Sequence, residues 1–259
     1  MGKSASLALT AALALTCGTV SAAPNAPLSL MTQAYGNYNT KFKCWVVNGG
    51  QVPRPHCMKP VSLDRVTVGG KSFTYLLVSG NEIDLKNGNN AGIGAHVSGG
   101  LVGMFVYMGP DSNPQIVAKE PLKELGKYGD APKGRFVKLG PTRYGWQFED
   151  GDLGQGYDNG WLRFFTLERN GMGQQFIHDL GTIPIYYDNS GAVGPDGYTH
   201  YSGKATIVEA KAQEGFYPVK VVMERTVKGK KLSPKTYEVR YSFGKGEYAL
   251  PDGYPIEEQ

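Results

Sequence analysis

The chain has 259 residues, with 27 Lys and Arg against 23 Asp and Glu and a net charge of +4. So small a basic excess argues against nucleic acid as the main partner, because polyanion binding by counterion release needs many clustered cations. With 36 Gly, 16 Pro and 16 Tyr, helices are interrupted wherever one might start. Aromatic and β-branched residues fall in short runs between turn signals, the pattern of many strands.

The first 22 residues read as a secretory signal peptide. Lys3 supplies a positive start, an apolar run follows from Leu7 to Leu15, and Val20-Ser21-Ala22 offers small residues for cleavage before Ala23. The run is too short to span a bilayer, and no later run is long enough either. Export to the periplasm or the external medium is the expectation. Cys17 sits where a lipoprotein would carry its lipidated cysteine, but Ala14-Leu15-Thr16 fits that signal poorly.

Removal of the leader leaves Cys44 and Cys57, with twelve residues between them. In an oxidising compartment they are expected to form one disulfide, worth about 3 kcal/mol through the unfolded-state entropy it removes. The segment between them, with Gly49, Gly50, Pro53 and Pro55, has little means of ordering itself by packing. A metal site of Cys44, Cys57 and His56 is the rival reading; it needs two free thiolates and lacks the close Cys pairing of zinc modules.

Val61–Val68 and Lys71–Ser79 flank Gly69-Gly70 as a hairpin. Asn81–Gly94 reads as a polar loop. The run Gly92–Gly100 lacks the following helix that a phosphate loop requires, so it reads as a connection. Leu101–Met108 is continuously apolar, hence a strand buried on both faces. Pro121–Leu125 reads as one or two helical turns stopped by Gly126. Strands are expected over Arg135–Leu139, Tyr144–Glu149, Trp161–Glu168 and Phe176–Tyr187, the last broken near Gly181.

Ala205–Gln213, Val219–Val227 and Tyr237–Phe243 read as a three-stranded meander. Tyr237, Val239, Tyr241 and Phe243 are expected to face the core, as are Val219, Val221 and Met223. No helix is long enough for a βαβ crossover, so the sheets should be antiparallel. The expected fold is all-β: a sandwich or open-barrel-like meander with at most short helical turns. It forms a single domain over residues 23–259, with a possible sub-boundary at 188–197.

The densest carboxylates are Glu149, Asp150, Asp152 and Asp158, in a Gly-rich stretch beside Tyr144, Trp146, Tyr157 and Trp161. Three readings follow. In the plainest, the acids belong to a solvated turn and the protein binds a ligand through Trp146, Tyr157 and Trp161. In the second, Glu149 and Asp152 serve a carbohydrate-active hydrolase, which needs two carboxylates across the scissile bond. In the third, Asp150, Asp152 and Asp158 hold calcium as a structural ion, although the EF-hand spacing is not met.

His178-Asp179 is the only adjacent His–carboxylate pair among His56, His96, His178 and His200, and strand neighbours point to opposite faces. No HExxH, GxSxG or Walker loop occurs. Lys228, Lys230, Lys231 and Lys235 are expected in the turn between the last two strands. They could hold an anionic envelope surface, or simply keep the chain soluble. The absence of catalytic motifs favours a binding protein with no cofactor, its ligand a saccharide, an envelope component or a protein.

Overall fold

The structure, a computed structural model, describes residues 26–50, 52–89 and 98–256. The expected leader, Cys17 and His96 lie outside them, as does most of the Gly92–Gly100 connection.

A two-turn helix, α1 (Leu28–Tyr35), opens the described chain and stops at Gly36, whose φ of 82° suits only a residue without Cβ. Six strands follow: β1 (Tyr38–Asn39), β2 (Cys44–Gly49), β3 (Val52–Val68), β4 (Lys71–Glu82), β5 (Gly100–Met108) and β6 (Gln115–Leu125). They form one antiparallel sheet in chain order. Eight more form a second: β7 (Gly134–Lys138), β8 (Tyr144–Gly154), β9 (Tyr157–Arg169), β10 (Gln175–Asp188), β11 (Thr199–Ile207), β12 (Val219–Val227), β13 (Lys230–Ser242) and β14 (Glu247–Ala249). This second sheet curls into a half-barrel. Within each sheet every strand pairs antiparallel with its chain neighbours, so the fold is all-β and antiparallel, as expected where no crossover helix joins the strands.

Three apolar layers hold it together. Leu30, Met31 and Tyr35 of α1 pack on Leu76, Val78, Phe105 and Tyr107. The alternate residues of the same strands, Tyr75, Leu77, Val102, Met104 and Val106, meet Trp146, Phe148 and Phe165 of the second sheet. The third layer joins Leu162, Phe164, Val219, Val221, Met223, Val239 and Tyr248 within the half-barrel. Phe164 and Phe165 therefore serve different cores, as neighbours on a strand must. β5 is buried from Gly100 to Tyr107, which explains its unbroken apolar sequence. At Gly103 a Cβ would stand 1.9 Å from Tyr35 Oη; the bare backbone lets that hydroxyl pass and donate to the Pro121 carbonyl at 3.0 Å.

Gly69 and Gly70, at φ 57° and 76°, close the β3–β4 hairpin, with both central residues in the left-handed region that matches strand twist. Cys44 and Cys57 are bonded, their Cα atoms 5.5 Å apart, so the metal reading of Cys44, Cys57 and His56 is overturned: both thiols are consumed. The described residues of the intervening segment have regular structure after all. They form the β2–β3 ladder, in which Val46 pairs with Cys57 and Val47 with His56, and an irregularity before Gly49 and Val52 takes up Pro53 and Pro55.

Four further expectations change. Residues 121–125 are not helical but the end of β6, an edge strand. The register slips there between Val102/Lys123 and Met104/Glu120, which tolerates a proline without an N–H to give. Asn81 and Glu82 belong to β4 rather than to a loop. The first strand of the C-terminal meander is Thr199–Ile207, earlier than read, and residues 208–213 lie beyond it. Its last hairpin turns on Lys228-Gly229 alone (φ 50° and 69°); Lys230, Lys231 and Lys235 lie in β13.

Within that meander, Val219, Val221, Met223, Tyr237 and Val239 are buried, Tyr241 is half-buried, and Phe243, past the strand end, is 77% exposed. The break foreseen at Gly181 is a bulge: the register shifts between Asp179 and Thr182, and Gly181 sits at φ 79°. Residues 188–197 connect β10 to β11, two paired strands of one sheet. Among the described residues, no helix is long and apolar enough to cross a membrane.

Candidate functional site

The acidic stretch 149–158 forms the end of a hairpin rather than a loop. β8 and β9 pair without a slip, placing Asp150 opposite Trp161, Asp152 opposite Asn159 and Leu153 opposite Asp158. Only Gln155 and Gly156, at φ 52° and 85°, make the turn. The Asp-Gly-Asp and Gly-Gln-Gly pattern thus reduces to a two-residue connection and two strand ends.

Beside this hairpin lie two adjoining cavities of ≈ 480 Å³ and ≈ 520 Å³ that share a wall of Asn159, Gly160, Trp161 and Tyr186. Arg163, Asp179, Thr182 and Glu247 complete the first. Lys127, Tyr128, Glu149, Asp150 and Asp158 complete the second. Tyr186 reaches the wall because Gly160 lies opposite it; a Cβ at Gly160 would meet the Cβ of Tyr186 at 3.1 Å. Both volumes fall in the range of small-ligand sites.

Each carboxylate has its own environment. Asp150 Oδ1 accepts the N–H groups of Gly126 and Gly151, both at 2.9 Å. Asp158 lies 3.5 Å from Lys127 Nζ. Asp179 accepts from Arg163 Nη2 at 2.7 Å and Nε at 3.1 Å, with Lys123 at 3.6 Å. Asp152 Oδ1 accepts from Leu153 N–H at 2.8 Å and lines neither cavity. Among the described residues, no three His, Cys, Asp or Glu side chains are grouped to hold a metal ion.

The aromatics also separate. Trp146 is fully buried, its ring 5.3 Å from Tyr75, so its side chain belongs to the core between the sheets. Tyr157, at the hairpin tip, is 37% exposed and lies 6.3 Å from Tyr187, outside both cavities. Trp161 alone of the three stands on the shared wall. Among the described residues its ring meets no other aromatic ring and no cation, and its Nε1, like Asn159 Oδ1, is enclosed without a hydrogen-bond partner. Such orphaned groups forfeit about 1–3 kcal/mol each and are uncommon in folded proteins.

Several of the residues that complete the cavities were not foreseen. Tyr128 is 41% exposed and holds φ at 57°, a conformation that costs a non-glycine residue on the order of 1 kcal/mol. Arg163, Asp179, Tyr186 and Glu247 come from β9, β10 and β14, and only the strand order brings them together. Gly181 could have signalled one of them, since the bulge it makes lies against Glu247.

At the rim, burial followed by the charges of Asp188, Asp158 and Tyr198 pushes the Tyr186 phenol upward in pKa. His200 Nδ1 lies 3.0 Å from Asp188 Oδ2, an ion-pair geometry assembled across two strands. His178, by contrast, binds the Gly246 carbonyl at 2.7 Å and is not joined to Asp179. No protein-family model matches the chain, and neither does any curated protein or solved structure.

Proposed function

We propose that the chain is an exported protein that acts by binding rather than by catalysis, and that the trough along Trp161 and Tyr186 takes a saccharide. The observation that carries this reading is the shared wall itself. An indole and a phenol stand there beside the Asn159 amide, with carboxylates on both sides. Apolar ring faces with a few fixed polar groups suit a sugar, which has C–H faces and a rim of hydroxyls.

The state of the acids supports binding over hydrolysis. Of the pair expected for hydrolysis, Glu149 lines one cavity and Asp152 lines neither, while Asp158 is ion-paired and Asp150 is committed to two backbone amides. The acid and nucleophile of a glycosidase would both have to face the scissile bond. Export is supported by the N-terminal pattern and is compatible with the disulfide.

Tryptophan emission tests the reading. Trp45 and Trp146 are 8% and 0% exposed, so a change on adding soluble oligosaccharides reports Trp161. The expected result is a saturable shift that Trp161→Phe removes and Trp161→Ala abolishes together with binding. Unchanged emission and no calorimetric heat across a panel of neutral, amino and acidic oligosaccharides would refute it.

A further inference from the structure

The positive charge of this protein is gathered in one hairpin. Residues 219–237, which are β12 and the first half of β13, carry six cations (Lys220, Arg225, Lys228, Lys230, Lys231 and Lys235) and a single acid, Glu224. Taken from the totals of 27 and 23, they leave 21 Lys and Arg against 22 Asp and Glu in the rest of the chain. Among the described residues none of the six is ion-paired. Lys228 to Thr236 are exposed without a break, so neither face of this half of β13 is covered. Its outer edge is open too, because β14 pairs with β13 only at Arg240 to Ser242.

Register decides which side chains share a face. Val227 pairs with Lys230, Arg225 with Leu232 and Met223 with Lys235, so β13 takes three steps where β12 takes two. Strict alternation would put Lys235 on the face opposite Leu232; the bulge brings it back. Leu232, 40% exposed, thus shares its face with Lys230, Lys235 and Arg225, while Glu224 points to the other. The group is held in place. Arg225 Nη2 donates to the Ser233 carbonyl at 2.8 Å, Lys235 Nζ lies 4.8 Å over the Tyr237 ring, and the Gly229 N–H ties the tip to the Tyr198 carbonyl at 2.9 Å.

Lysine and proline on an open edge discourage strand pairing, but that role gives no reason for an exposed leucine among them. An anionic bilayer gives one: ammonium groups reach the headgroups while an apolar side chain enters the acyl boundary between them. We propose that the β12–β13 hairpin docks the protein on an anionic phospholipid surface, with Leu232 inserted and Lys230, Lys231 and Lys235 on the headgroups. None of these residues lines the trough, so the proposal stands independently of the saccharide reading.

Vesicle flotation of the mature protein tests this, comparing equal parts of phosphatidylglycerol and phosphatidylcholine with phosphatidylcholine alone. The protein should float with the anionic vesicles and not with the neutral ones, and added salt should release it. Lys230→Gln and Lys235→Gln should each weaken binding about five-fold, and the triple change that includes Lys231→Gln about a hundred-fold. Leu232→Ser should weaken vesicle binding about three- to ten-fold without altering any affinity for soluble dextran sulfate. Lys71→Gln, the same loss of charge at an exposed position of the other sheet, should change nothing, and melting curves check that every variant is folded. No flotation with anionic vesicles, equal flotation with neutral ones, or full binding by the triple variant overturns the proposal. Vesicle binding indifferent to Leu232→Ser, with equal affinity for dextran sulfate, would make the partner a soluble polyanion and overturns it as well.

Discussion

Asp188 and His200 face each other across the β10–β11 ladder, and the carboxylate accepts from the imidazole Nδ1 at 3.0 Å. The Tyr198 hydroxyl donates to the same oxygen at 3.2 Å, and the Ser190 N–H to the other at 2.7 Å. Burial alone would raise this carboxyl. The donors from Ser190, His200 and Tyr198 outweigh it and hold the group below its ordinary 3.8.

That direction has a thermodynamic consequence. A carboxyl depressed by folding contributes stability above its unfolded pKa and loses it as pH falls through the folded value. The contribution of Asp188 should therefore be full at neutral pH and fade below about pH 4. Asp188→Asn should lower the melting temperature at pH 7 and flatten its fall in acid. A variant with the same acid slope as the parent would show that this carboxylate does not carry the effect.

The Cys44–Cys57 bridge closes a thirteen-residue separation, for which the chain-entropy relation gives about 3 kcal/mol. Its cysteines are buried with Ile83 in a small cluster of their own. Replacing both by Ser should lower stability by about 2–4 kcal/mol in urea unfolding. Intact-mass measurement with and without reductant should differ by two hydrogens.

Val221 is fully buried and Val222 is 37% exposed on the same strand. Val221→Asp puts an unpaired charge in the half-barrel core and should cost several kcal/mol, about 4 or more, or prevent folding. Val222→Asp should stay within about 0.5 kcal/mol. Comparable losses from the pair would mean that the strand is turned over, because a slip of one residue exchanges its faces.

Tyr128 couples backbone strain to the trough. Its φ of 57° is one that glycine adopts without cost, so Tyr128→Gly should leave stability unchanged or raise it by up to about 1 kcal/mol. The same change removes an exposed ring from the cavity and should weaken ligand binding. A loss of stability together with unaltered binding would show that the ring packs for the fold and has no part in recognition.

At Gly181 an added methyl would meet both a φ of 79° and the Cβ of Glu247 at 3.1 Å. Gly181→Ala should cost at least about 1 kcal/mol. It should also shift Glu247, which lines the first cavity, so ligand binding should weaken together with stability.

What the sequence determined by itself was the chemistry that acts locally. Alternation in Val219, Val221 and Met223, the unbroken run of β5, Gly69-Gly70 and the interruption at Gly181 are read over two to nine residues. Each reports a strand's exposure or a backbone φ that neighbours do not alter. The cysteine pairing was legible because only one bridge can be drawn between two cysteines. Where a local signal was overruled, the sheet did it. Pro121 suits an early helical position, yet an edge strand can also take a residue with no N–H to donate, and the ladder to β5 recruited it. Phe243 continued an alternation that ended one residue earlier, where β13 turns toward β14. Trp146 and Trp161 look alike in sequence, each following a glycine, yet one lies between two sheets and the other on a cavity wall. Which face of a strand meets a second layer is decided by contacts far along the chain. The trough is therefore a property of tertiary structure alone: β9, β10 and β14, with the Gly126–Pro132 turn, converge there only because the second sheet curls.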